Sequence, residues 1–168
     1  MEEYVKLAKK LGITDARLIT PDDIVFDIRA YLKCRWGCSL APTGGSFNMR
    51  CNDGGTTFEE RQAMIRAYKH ILLLHSDDKV LVSCVALDVE SAAFLDGHYF
   101  AFALRACNLC INCAVQKGKQ CPTPKLIRPC EQLFSIDDFA TVRRLGFPID
   151  VIQEEGDEEN RYAFVLIN

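Results

Sequence analysis

The 168-residue sequence contains no apolar run approaching the roughly 18 residues that a membrane span requires. It has no excess of positive charge either. Its 20 Lys and Arg against 23 Asp and Glu leave a net −3, so the electrostatic footprint of a nucleic-acid or anionic-membrane partner is missing. Nucleotide motifs are absent: there is no GxGxxG and no GxxxxGKS, and Gly44-Gly45-Ser46 is too short for a phosphate loop. No nucleophile elbow points to a serine hydrolase. The opening Met1-Glu2-Glu3-Tyr4-Val5-Lys6 is acidic and lacks the basic-then-apolar pattern of a secretory signal. These absences predict a cytoplasmic protein that binds neither nucleic acid nor membrane. With 49% hydrophobic and 26% charged residues, the composition is that of a globular domain and excludes disorder or a coiled coil.

Cysteine is what the sequence has in excess. There are nine, at positions 34, 38, 51, 84, 107, 110, 113, 121 and 130. In a reducing compartment thiols stay unpaired, and an odd total cannot pair internally without a remainder. A chain of this length also buries a core without disulfide staples. Clustered reduced thiols point to metal.

The cysteines interrupt an otherwise regular pattern. Val5, Leu7, Ala8 and Leu11 have helical spacing, ended by Gly12. A short strand is expected over 16–20, then a turn through Pro21, Asp22 and Asp23 into 24–32. Thr57 with Glu60 is a capping-box pattern opening a helix over 58–68. The run 70–75 (HILLLH) reads as a strand, 80–87 as a second strand, and 89–104 as a helix with Gly97 its weak point. A helix over 137–145 and a strand over 161–167 complete the series, with the acidic run 154–159 as a solvated hairpin loop. The expectation is α+β: a single domain spanning 1–168, with a mixed β-sheet packed by helices and two cysteine-bearing metal loops.

Cys107-x2-Cys110-x2-Cys113 is followed by seven residues and then Cys121-Pro122. Two-residue spacers let consecutive thiolates converge on one centre, and the turn amides between them stabilise the negative sulfurs. The run resembles that of bacterial ferredoxins, which bind a cubane cluster, although its last gap is seven rather than three. A zinc site built of four cysteines more often shows two separate CxxC pairs. The reading is a 4Fe-4S cluster on Cys107, Cys110, Cys113 and Cys121, with Zn as the alternative.

The first loop offers Cys34-x3-Cys38 and Cys51 among Gly37, Gly44, Gly45, Gly54 and Gly55. Three thiolates can hold a second cluster with one position open to substrate. Cys130 is an extra ligand of the second loop, the fourth ligand of the first, or a bystander. Cys84, inside an apolar run, reads as a small core hydrophobe. Arg35, Arg50 and Arg105 each adjoin a cysteine loop; they read by default as solvated, the alternatives being to lower a thiolate pKa or bind an anionic ligand. His98 is the best candidate for a nearby proton donor, with a satisfied structural histidine as the default reading. Trp36 either shields a cluster or anchors the surface.

A family resemblance rests on Asp23-Ile24-Val25-Phe26-Asp27, Cys34-Arg35-Trp36-Gly37-Cys38, Cys51 and Gly97-His98-Tyr99, followed by the run Phe100 to Leu104. It continues through Cys107 to Cys121-Pro122, Arg128-Pro129 and the tail from Thr141 to Pro148. From about residue 20 to 167 the chain resembles the prokaryotic predicted metal-binding proteins of domain-of-unknown-function family 2284. The family usually has Cys-Pro-Pro where this chain has Cys51-Asn52-Asp53, and Arg-Pro-Ser where it has Arg128-Pro129-Cys130. The resemblance implies a bound metal and no particular reaction. Together with the cysteine spacing it leads to three expected functions. The first is an electron-transfer module with a redox partner protein; the second is a small cluster enzyme with a small-molecule substrate. The third, a zinc-stabilised binding module, has no redox role.

Overall fold

The computed structural model describes residues 1–37, 54–117, 119–154 and 156–168, with the side chain of Gln116 left aside. Five helices and four strands are present among the described residues: α1 (Glu2–Lys10), β1 (Asp15–Ile19), α2 (Ile28–Leu32), α3 (Phe58–Arg66), β2 (His70–Ser76), α4 (Lys79–Leu95), β3 (Phe102–Leu104), α5 (Asp138–Arg144) and β4 (Arg161–Ile167). The strands form one sheet in the order β1-β2-β4-β3. The fold is therefore α+β. Every pairing in the sheet is antiparallel, where the sequence suggests a mixed sheet.

Both faces of the sheet are covered, which is why β2 and β4 read as continuous apolar runs rather than alternating ones. Leu72 and Leu74 of β2, with Ala163, Val165 and Ile167 of β4, pack against Tyr4 and Ala8 of α1 and Val85, Val89 and Ala93 of α4. The alternate residues Ile71, Leu73, Phe164 and Leu166 face Ile65 of α3 and Val142 of α5. The result is a helix–sheet–helix sandwich.

Two sequence expectations fail around α4. The run 80–87 is helix, not strand, because Asp78 accepts hydrogen bonds from the Val80 and Leu81 amides at 2.7 and 3.1 Å and opens a helix there. Nor does the helix reach 104. The amides of Gly97 and His98 bond back to the Phe94 and Ala93 carbonyls in a Schellman stop, with Gly97 at φ +99°. Residues 102–104 are thereby released as the edge strand β3. The acidic segment near 157 is no hairpin, since β4 pairs only with β2 and β3; the Asp157 carboxylate instead caps the Gln153 and Glu154 amides.

β4, the last strand, inserts between β2 and β3. The chain from Arg105 to Asn160 is thus an excursion from the edge of the sheet that returns to its middle. It begins and ends at the same end of the sheet, where Leu104 registers with Phe164. Both cysteine-bearing regions meet there.

Candidate metal centre

The first cysteine region is held by backbone stitching between distant segments. Asp27 donates its amide to the Ser135 carbonyl at 2.9 Å, Asp137 donates to Val25 at 2.8 Å, and Phe26 bridges Ile136. Asp27 also caps α2 through the Arg29 amide. The helix runs on into a wide turn, Lys33–Gly37, that carries Cys34 into the interior. On the other side Cys130 caps a short 3-10 turn, Glu131–Phe134, closed by Ser135 in a left-handed conformation (φ 61°). The two sulfurs meet. The Cys34 and Cys130 thiols hydrogen-bond to each other, and that bond, then burial and the nearby Glu131 carboxyl, pushes the Cys130 thiol well above its ordinary pKa. Cys38 and Cys51, the other sequence candidates in this region, lie outside the described residues.

The second region follows β3. Cys107, Cys110, Cys113 and Cys121 line one pocket of about 30 Å³, walled also by Leu126 and Ile127. Its C-terminal arm is pinned to the sandwich. Arg128 forms a bidentate pair with Glu90 of α4, whose Oε2 also accepts the Ala103 amide at 2.7 Å. The Arg105 amide donates to Pro129 at 2.9 Å. Between Cys110 and Cys113 the loop turns outward, leaving Ile111 97% exposed.

Arg105 departs from the solvated default and is placed beside a cysteine, as the alternative reading had it. It is fully buried, with no exposed surface. Its guanidinium donates to the Leu126 carbonyl at 3.0 Å, while Nε has no partner among the described residues. Burial lowers its pKa; the Cys107 thiol, which it hydrogen-bonds, and the more distant Cys84 pull it back up. A buried cation without a full carboxylate partner fits a centre that carries negative charge on Cys107.

Cys84 is also displaced from expectation. It is exposed on α4 instead of buried in a strand. His98 lies in the Schellman turn, its Nδ1 2.6 Å from the Asn168 carbonyl and its ring edge-on to Tyr4, so it is engaged in holding the C-terminus. Trp36 is 78% exposed. Two functional groups left no sequence signal: the Glu131 and Asp138 carboxyls, hydrogen-bonded to each other beside Cys130. Burial raises the pKa of both; the Glu131 and Cys130 charges raise Asp138 further, whereas the hydrogen bond with Asp138 and the Arg105 charge hold Glu131 partly back. Seven residues apart, they meet only because Ser135 reverses the chain between them.

None of the seven described cysteines is in a disulfide. Four thiols border the second pocket, yet they do not converge as a finished ligand set. Among the described residues, no group of three or more His, Cys, Asp or Glu is arranged to hold a metal ion.

The sequence pattern of the predicted metal-binding proteins, DUF2284, matches residues 17–167. The chain belongs to this family. No curated protein and no solved structure matches it. Family membership makes the protein a predicted metal binder of unknown function, and the thiol-lined end of the sandwich is where this chain has ligands to offer. No helix among the described residues is long and apolar enough to cross a membrane.

Proposed function

We propose that the protein is a cytoplasmic iron–sulfur protein with a 4Fe-4S cluster on Cys107, Cys110, Cys113 and Cys121. A second centre draws on Cys34, Cys38, Cys51 and Cys130. The observation that carries this reading is the four-thiol pocket beside the buried Arg105 guanidinium, because a desolvated positive charge suits a thiolate-ligated, negatively charged centre. The double CxxC spacing supports iron–sulfur over other metals. The contact of Cys34 with Cys130 supports Cys130 as the fourth ligand of the first set, which closes that centre and favours electron transfer with a partner protein over an open-iron enzyme. When bound, such a cluster supplies a one-electron store or, at an open iron, a Lewis acid. The chain's own residues would hold it through thiolates, compensate its charge through Arg105, and fix the loop through the Arg128–Glu90 pair.

Zinc remains the second reading. It draws on the same four thiols, Cys107, Cys110, Cys113 and Cys121, which border one pocket and match the ligand number of a tetrahedral site.

Cys110→Ser tests the ligand set. Anaerobically purified Cys110→Ser protein should lose the metal of the second loop. Its melting temperature should fall by about 6–12 °C, the shift for roughly 3 kcal/mol in a chain of this size. Full metal content with unchanged melting would overturn the assignment.

A further inference from the structure

A larger cavity, of about 320 Å³, lies at the same end of the sandwich and shares Cys107 with the small pocket. Cys34, Cys107 and Cys130 line it on one side, and Phe139, Ile149 and Ile152 supply apolar wall elsewhere. Glu131 and Asp138 also line it. Glu131 Oε2 and Asp138 Oδ1 are buried and have no hydrogen-bond partner among the described residues. Buried carboxyl oxygens left in this state cost free energy, and the ordinary remedy is a donor that arrives with a ligand. The single cation among the described lining residues, Arg161, is already paired with Glu159 at 2.6 Å. Among the described lining residues no unpaired cation is therefore available to neutralise an anionic ligand.

We propose that this cavity binds a small organic amine, its ammonium donating to Glu131 Oε2 and Asp138 Oδ1 and its apolar body resting against Phe139, Ile149 and Ile152. An ammonium has three donors, enough to satisfy both orphaned oxygens at once, and hydrogen bonds from it are charge-assisted whether or not the pair holds a proton. The volume agrees: at about 30 Å³ per water-sized group, the cavity has room for about ten, close to the size of phenethylamine. The cavity adjoins the proposed metal centre, so a bound amine would sit beside the cysteine sulfurs. Its recognition by the carboxyls does not depend on which metal they hold.

The test is calorimetric titration of the full chain, purified anaerobically, with phenethylamine and with phenylpropionate as the anionic probe of matched size. Metal content is measured on the same sample, so loss of amine binding and loss of the metal centre register separately. Phenethylamine should bind saturably with a Kd of about a millimolar or tighter, and phenylpropionate should not. Asp138→Asn should weaken the amine by about tenfold or more, the scale of one charge-assisted hydrogen bond. Ile152 is 43% exposed, so Ile152→Trp can fill the cavity from its rim without disturbing the core, and it should abolish binding even if Asp138→Asn fails to fold. No saturable amine binding, equal binding of both probes, or full affinity in Asp138→Asn or Ile152→Trp would each overturn the proposal.

Discussion

Arg105 is the residue whose place in the structure says most about the site. A buried guanidinium cannot shed its proton, so the protein must surround it with negative charge or accept the desolvation penalty. It hydrogen-bonds the Cys107 thiol and feels Cys84, and its charge also acts on the Glu131 carboxyl. Replacing a buried charge by an apolar side chain of similar size is often neutral or stabilising when the charge has only a structural role. Arg105→Met should therefore leave the metal-stripped protein at least as stable in urea. Metal retention under chelator challenge should fall by about tenfold, the equivalent of about 1.4 kcal/mol of lost charge compensation. Equal metal retention by the variant would remove Arg105 from the centre. The carboxyl pair gives a pH prediction of definite sign. Glu131 and Asp138 titrate above the ordinary carboxylate range in the folded state. Their contribution to stability is fully present below about pH 4, the unfolded value, and is lost as pH rises toward the raised folded value. Urea midpoints measured from pH 4 upward should decline more steeply for the parent chain than for Asp138→Asn. Parallel profiles would contradict the assignment of the pair as proton-holding.

At the scale of elements, α4 decides the topology. Its Schellman stop converts what would be one long helix into a helix plus β3, and β3 delivers Arg105 and Cys107 to the sheet's end. Gly97 makes the stop possible with φ +99°, and a Cβ added there meets nothing within 4 Å. The penalty in Gly97→Ala is thus conformational alone, about 1–2 kcal/mol, which lowers the melting temperature by about 2–8 °C. An unchanged melting temperature would show that the turn is not held in this conformation. The same helix shows what was legible in the sequence. α1, α3, α5, β1, β2 and β4 are recovered from periodicity and caps to within about two residues, because each is specified locally. The run 80–87 is not, since its near-continuous apolar character suits a strand and a buried helix equally, and only the Asp78 cap decides between them. Within one loop the closeness of Cys107, Cys110, Cys113 and Cys121, which border one pocket, is likewise local. Across segments spacing says nothing. The meeting of Cys34 with Cys130 and of Glu131 with Asp138, and the burial of Arg105, depend on stitching between residues 25–27 and 135–137 and on the arm from Leu126 to Pro129. Those contacts exist only in the folded chain.

The described residues form a helix–sheet–helix sandwich with Cys34, Cys107 and Cys130 gathered around one cavity. Insertion of β4 between β2 and β3 ties the excursion from Arg105 to Asn160 at both its ends to the same edge of the core. Thiols from the first loop, the second loop and the turn before α5 thereby come to border one cavity, with Cys107 common to it and to the smaller pocket. The most direct measurement is the iron, acid-labile sulfide and zinc content of the anaerobically purified wild-type chain. The account predicts iron and sulfide in equal amounts, about four of each per chain for one cubane and about eight for two. Zinc at about one per chain with no sulfide, or no metal at all, would contradict it.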